Sequence, residues 1–121
     1  MKSNDSDVLD LIIALPETFN TSGTVSIKDL LKETGYCDIY DLISEISIAE
    51  VLSTNLQAVN YWLEYSEDKR TSSGWYFKKS KNETYIVGKI DMTETSEVTF
   101  TDKFKACAAF IKREIETIRR S

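Results

Sequence analysis

The stretch SEDKRTSSGWYF, residues 66–77, marks the point at which the spacing of apolar residues changes. Before it, apolar residues recur at helical spacing; after it, aromatic and β-branched residues follow in short runs. Ser72 and Ser73 let the chain reverse without bulk, and Gly74 permits a turn conformation that other residues avoid. The stretch therefore predicts a helix-to-strand junction.

Residues 55–70, just upstream, fit two patterns. At a period of two they form one face of a strand: Val59, Tyr61, Leu63 and Tyr65. At helical spacing they extend an apolar stripe, with Trp62 beside it: Leu52, Leu56, Val59 and Leu63. We favour the helix, because a strand would leave a loop of about eight residues before Gly74, whereas hairpin loops usually have about 2–5.

Four shorter helices are predicted further upstream, each from a capping residue followed by apolar residues at helical spacing. They begin at Asp5-Ser6-Asp7, Ser26, Asp38 and Ser47. Pro16 ends the first helix, because the residue before a proline avoids the helical region, and residues 20–23 are predicted as a loop. Gly35 stops the second helix, and the third runs through Ile46.

Downstream of the junction, β-rich runs at residues 75–77, 84–87 and 98–100 predict three strands, with a tight turn at 80–82. Thr101 or Asp102 caps a final helix. Its apolar stripe, with Phe110 and Ile118 beside it, consists of Phe104, Cys107, Ala108, Ile111 and Ile115. The predicted fold is α+β in a single domain: a mostly helical part (1–70), a three-stranded antiparallel meander (74–101) and a helix packed on the sheet (102–120).

Charge is distributed unevenly along the chain. Residues 1–64 contain 11 acidic and 3 basic residues, a net charge of −8, whereas residues 65–121 contain 9 acidic and 12 basic residues, a net charge of +3. Nucleic acid is a poor partner for the acidic half, because phosphate contacts need a basic face. A basic protein is a better one, since an acidic face accelerates encounter with it. Acidity that serves solubility alone is the alternative.

Several kinds of catalytic and binding chemistry have no support in the sequence. There is no histidine, the four glycines are scattered, and two isolated cysteines cannot make a four-ligand zinc site. We expect no metal, no cofactor and no enzymatic activity. A disulfide between Cys37 and Cys107 is geometrically possible, but Cys107 fits the apolar stripe of the last helix and is predicted to be a core residue.

Targeting and membrane segments are not expected either. Lys2 is followed by polar residues where a signal peptide would have its apolar core. The longest apolar run, residues 11–15, is far shorter than the roughly 20 residues that span a bilayer. We expect a protein of the reducing cytoplasm.

Three segments of the C-terminal half resemble a known group of proteins. They are Tyr65–Phe77 (YSEDKRTSSGWYF), Tyr85–Gly88 (YIVG) and Ala106–Ile111 (ACAAFI). Together they resemble small bacterial proteins, some of which look like immunity proteins of contact-dependent growth inhibition and related polymorphic toxin systems. The resemblance implies a cytoplasmic, non-enzymatic protein that binds and neutralises one cognate toxin domain, often a nuclease.

Candidate partner-binding residues follow from charge and residue type. In the helical half they are the acids that would meet a basic toxin surface and two tyrosines that could anchor it: Asp29, Glu33, Tyr36, Asp38, Tyr40, Asp41, Glu45 and Glu50. At the junction they are residues that a partner could contact, since arginine and aromatic residues dominate interface hot spots: Glu67, Asp68, Arg70 and Tyr76. Two alternatives remain open: an adaptor or regulatory domain that binds another cellular protein as a homodimer, and an enzyme that relies on carboxylates or on Lys69 and Arg70.

Overall fold

A computed structural model describes residues 5–22, 26–69, 74–80, 83–90 and 96–120. The helices are α1 (Asp5–Ile13), α2 (Leu15–Ser22), α3 (Ile27–Glu33), α4 (Tyr36–Ile39), a 3-10 helix (Tyr40–Leu42), α5 (Glu45–Leu52), α6 (Leu56–Lys69) and α7 (Lys103–Arg120). The strands are β1 (Gly74–Lys79), β2 (Tyr85–Ile90) and β3 (Ser96–Phe100). The predicted α+β class is confirmed: a helical N-terminal half is followed by a three-stranded antiparallel sheet and a C-terminal helix that packs on it.

The sheet has the order β1-β2-β3, with β2 in the middle. Phe77 pairs with Val87, which pairs with Val98. Because side chains alternate along a strand, these three share the face of the sheet that packs against α7. The other face carries Tyr76 on β1 and Glu97 on β3. Both residues are register partners of Gly88, which lies between them on β2.

Helix α7 is the centre of the fold. It packs on all three strands and also on α3, α5 and α6. Residues 106–111 are buried without a gap, and that run is longer than the roughly 3.6 residues of one helical turn. The predicted one-sided stripe is therefore incomplete, because helices α3 and α5 cover the side of α7 that faces away from the sheet.

Aromatic rings join α6, α7 and the sheet in the core. Trp62 is fully buried, lies edge-on to Phe110 at 5.9 Å between ring centroids, and donates a hydrogen bond from its indole N–H to the Ile13 carbonyl at 3.0 Å. Phe110 in turn stacks on Phe77 at 5.8 Å. The predicted helix over residues 55–70 is confirmed for Leu56–Lys69, although Trp62 lies at the centre of the buried face and Leu56 is exposed.

The predicted helix-to-strand junction joins α6 to β1, and residues 70–73 lie outside the described part of the chain. Across it, the Phe77 backbone N–H donates to the Ser66 hydroxyl at 2.7 Å, and the Ser66 side chain is buried. Ser66 thus satisfies a strand donor from a neighbouring helix, which fixes β1 against α6.

We expect Ser66→Ala to lower the free energy of unfolding by about 1–3 kcal/mol, because it leaves the buried Phe77 N–H without an acceptor. Urea denaturation measures the change. The matched control is Ser53→Ala at an exposed helix end, for which we expect a change within about 0.5 kcal/mol. Equal losses in the free energy of unfolding for the two variants would show that the Ser66 hydrogen bond does not stabilise the fold.

The region around Pro16 differs from the prediction. Residues 20–22, predicted as a loop, belong to α2, which contains Pro16 in its first turn. Proline is tolerated there, since the N–H that it lacks would have no partner within the helix. The first helix ends at Ile13, ahead of Pro16, but not for the predicted reason, because Leu15, the residue before the proline, is itself helical. Gly23 lies outside the described residues.

The two helices predicted to begin at Asp38 and Ser47 are also wrong in position. The chain instead forms α4, the 3-10 helix and then α5, which is capped by Ser44. The Ser44 hydroxyl accepts from the Ser47 N–H at 3.1 Å, and the Ser47 hydroxyl accepts from the Ser44 N–H at 3.0 Å. This reciprocal cap begins the helix three residues earlier than predicted and turns Ile46 outward.

The three strands are longer than the predicted runs, although Thr84 lies outside β2, and residues 81 and 82 of the predicted turn lie outside the described part of the chain. The predicted caps of α3 and α7 agree with the structure. Ser26 caps α3 by accepting from the Asp29 N–H, and Gly35 follows that helix with a positive φ of 88°. Asp102, one of the two residues predicted to cap the last helix, accepts from the Phe104 N–H at 2.8 Å. Both cysteines are unpaired, and Cys107 is a core residue whose burial raises the pKa of its thiol. Within the described ranges, no helix is both long and apolar enough to cross a membrane.

Candidate functional site

The segment from Glu33 to Asp68 contains eight carboxylic acids and no lysine or arginine. Asp38, Asp41, Glu45 and Glu50 lie in its first half and are all exposed. None of the four forms a salt bridge with another residue that the structure describes. We call these four residues the acidic surface.

The acidic surface is held in place by α7. The Lys112 ammonium donates to the Tyr40 carbonyl and to the Tyr36 hydroxyl, each at 2.7 Å. The Tyr36 hydroxyl donates to the Glu116 carboxylate. The Arg119 guanidinium lies 3.7 Å from the centre of the Tyr40 ring and pairs with Glu116 at 2.9 Å. The segment α4–Tyr40 is thereby fixed against the basic end of α7.

Protonation in this cluster follows from burial and hydrogen bonding. Burial raises the pKa of the Tyr36 phenol well above its usual value, and the hydrogen bond to Glu116 raises it further. Partial burial lowers the pKa of Lys112. The hydrogen bonds from Arg119 hold the pKa of Glu116 below its usual value. At neutral pH Glu116 is a carboxylate that accepts from Tyr36 and Arg119.

A lowered carboxylate pKa predicts a pH dependence of stability. The contribution of Glu116 is present above the glutamate value of about 4.5 in the unfolded chain and is lost as the pH falls through the folded value. We expect Glu116→Gln to cost about 1 kcal/mol at neutral pH, since solvent screens the pair, and to cost less below pH 4.5. Urea midpoints across this pH range measure it, with exposed Glu17→Gln as the control. A cost that does not change with pH would contradict the role of the charge.

An apolar groove of about 430 Å³ lies beside the acidic surface, between α5, the end of β3 and the start of α7. Its apolar residues are Ile46, Ala49, Phe100 and Phe104, and its rim carries Glu45, Glu50, Asp102 and Lys105. Ile46 is 75% exposed, and Leu42, four residues earlier, is 62% exposed. Large apolar side chains next to unpaired carboxylates are typical of a surface that a protein partner covers.

A second groove, of about 720 Å³, lies between α1, α2 and the start of α6. It is lined by Asp10, Glu17, Asn55, Gln57 and Tyr61, among others. Its lining is more polar, and it lacks the group of one exposed isoleucine and two partly buried phenylalanine side chains that lines the first groove. We therefore take the α5–β3–α7 groove and the acidic surface as the candidate site.

No protein family, curated protein or solved structure matches this chain.

The structure separates the site residues predicted in the helical half into three groups. Asp38, Tyr40, Asp41 and Glu45 lie together along one segment and are exposed. Asp29 and Glu33 are exposed on α3, which packs against α4 and α7. Tyr36 is 0% exposed and binds Glu116 and Lys112, so we remove it from the candidate surface and assign it a structural role.

The junction residues do not join this surface. Glu67 is exposed on α6, which packs against β1, at the opposite edge of the sheet from β3. Asp68 lies in the same helix, and Arg70 lies outside the described residues. Tyr76 is half-buried on the sheet face turned away from α7 and donates to Glu97 across Gly88; burial, with this hydrogen bond, raises its pKa to about 12.

Sequence patterns missed the apolar part of the site. Ile46 and Phe104 were predicted in apolar helical stripes and Phe100 only in a strand. Phe100 and Phe104 do pack partly against the core, and no pattern showed that they also line a groove with Ile46. The position of Ile46 could have been predicted from Ser44 and Ser47, whose spacing allows a reciprocal cap. A helix that begins at this cap places Ile46 on the solvent side of α5.

Proposed function

We propose that this chain is a protein-binding domain that binds a basic partner through the acidic surface and the α5–β3–α7 groove. The observation that carries the proposal is the apolar groove, whose rim carries three acids and one lysine, beside an acidic surface in a segment without basic residues. An apolar side chain of the partner would enter the groove, and lysine or arginine side chains around it would meet Glu45, Glu50 and Asp102.

Within this class, we propose that the partner is a toxin domain and that the chain is its immunity protein. The junction, β2 and α7 segments resemble small bacterial proteins, some of which look like immunity proteins, and this resemblance supports the choice. The protein would act in the cytoplasm by occlusion, without enzymatic activity, cofactor or nucleic-acid binding of its own. A basic nuclease domain would suit the charge of the acidic surface.

The first experiment is a tagged pull-down from the native strain, identified by mass spectrometry and repeated at low and high salt. We expect a stoichiometric basic protein, encoded next to this gene, whose retention weakens with salt. Co-expression of this chain with the partner's toxic domain should then restore growth. A stoichiometric acidic or housekeeping partner, with no protection from any toxin, would contradict the immunity function and favour the adaptor alternative.

A further inference from the structure

The hydrogen-bond pattern of the sheet shows which backbone groups point away from it. The Ser80 N–H donates to the Thr84 carbonyl at the β1–β2 turn, so these two residues form a hydrogen-bonded pair. Such pairs recur at every second residue of an antiparallel ladder. On β1, residues 76 and 78 therefore bond to β2, while Trp75 and Phe77 point their backbone groups outward. The Phe77 N–H does point outward, to Ser66 on α6.

The same alternation continues across β2 to β3. Residues 85, 87 and 89 of β2 bond to residues 100, 98 and 96 of β3. The backbone groups of Glu97 and Thr99 therefore point away from the sheet. No described residue hydrogen-bonds to them, whereas α6 covers the corresponding edge of β1.

The side chains next to this edge, which none of the described residues covers by hydrogen bonding, differ on the two faces of the sheet. Val98, on the face toward α7, is 47% exposed, and Phe100 on the same face lines the groove with Ile46. On the opposite face, Glu97 and Thr99 are exposed, and Glu97 accepts from Tyr76. An added strand would therefore meet apolar side chains on one face and an acid on the other.

We propose that the β3 edge receives an extended segment of the basic partner, which adds a fourth strand beside Glu97 and Thr99. The inference rests on the proposed function and specifies how the partner binds. The added strand would alternate apolar residues, which meet Val98 and the groove, with lysine or arginine residues, which meet Glu97. A second copy of this chain is a poor occupant, because pairing β3 with β3 would bring the two Glu97 carboxylates to the same face of the joined sheet.

The decisive substitution is Thr99→Pro. Proline removes the outward N–H at position 99 and leaves the β2–β3 ladder intact, because Thr99 makes no ladder bond there. Thr99→Ala, which keeps the N–H, is the matched control. The probe is a short fluorescein-labelled peptide that alternates lysine with valine, with a glutamate–valine peptide as the charge control, and anisotropy gives the Kd.

We expect the lysine–valine peptide to bind the wild type and Thr99→Ala equally, and the glutamate–valine peptide to bind far more weakly. Thr99→Pro should raise the Kd at least about tenfold, with an unchanged far-UV circular dichroism spectrum. If Thr99→Pro does not fold, Val98→Lys provides the second test, since a charge at that edge position also blocks strand addition.

Three results would overturn the inference: equal binding of the peptide by wild type and Thr99→Pro, no binding of the lysine–valine peptide at all, or a stable dimer of the wild type in sedimentation equilibrium that Thr99→Pro dissociates. The proposed function can fail separately. If substitutions on the acidic surface weaken capture of the protein partner while Thr99→Pro does not, the partner is correct and the strand pairing is wrong.

Discussion

Replacing Trp62 with alanine is expected to lower the free energy of unfolding by about 3–5 kcal/mol, the largest effect on stability that we predict for a single substitution. The indole is fully buried between Tyr65 and Phe110, at 5.2 and 5.9 Å between ring centroids. Its removal leaves a cavity and also deprives the Ile13 carbonyl of its donor. The free energy of unfolding of native proteins is about 5–15 kcal/mol, so the variant retains only a small part of its stability.

Urea denaturation followed by circular dichroism measures the effect, with Trp75→Ala as the matched control. Trp75 is only partly buried on β1, where Arg113 and Lys89 lie over its ring, so we expect a smaller loss. Trp75→Phe leaves Trp62 as the sole tryptophan, and its emission should be blue-shifted in the folded protein. A Trp62→Ala midpoint equal to that of Trp75→Ala would contradict the central position of this residue.

Reversing charge on the acidic surface is expected to have the largest effect on partner binding. Asp38→Lys with Glu50→Lys should slow association with the captured basic partner about tenfold or more at low salt and flatten the dependence on ionic strength. Asp38 and Glu50 are exposed and take no part in the contacts of Tyr36 and Tyr40 with α7, so the fold should persist. Stopped-flow or surface-plasmon kinetics at several salt concentrations measure the rate.

The control carries the same change of charge elsewhere. Asp10→Lys with Glu17→Lys alters the net charge by the same amount, but these residues border the second groove. If both double variants slow association equally, the overall charge matters and the acidic surface is not the binding site. If neither slows it, the proposal of an electrostatically guided basic partner is wrong.

The parts of the fold that follow from local chemistry could be predicted from the sequence. Ser26 and Gly35 delimit α3 through a side-chain cap and a left-handed residue, and both effects act within a few residues. The helical state of residues 56–69 followed from the length of the loop that a strand would require. The three strands followed from β-rich runs separated by turns.

The features that depend on packing between distant segments could not be predicted. The pattern of α7 indicated one apolar face, whereas its alanines are buried because α3 and α5 lie against its second face. The outward position of Ile46 depends on the cap at Ser44. The acids of the candidate surface were named from charge, but the groove beside them needs α5, β3 and α7 together.

The central position of α7 also determines how the chain can fold. Helices α3, α5 and α6 all precede α7 in the chain, yet each buries part of its apolar face against it. During synthesis these helices leave the ribosome before the segment that completes their core exists. Because the decisive contacts join distant parts of the chain, closure of long loops must precede them, and folding should be slower than in a bundle of sequential neighbours. Until α7 emerges, the helical half exposes the apolar residues that a chaperone would bind.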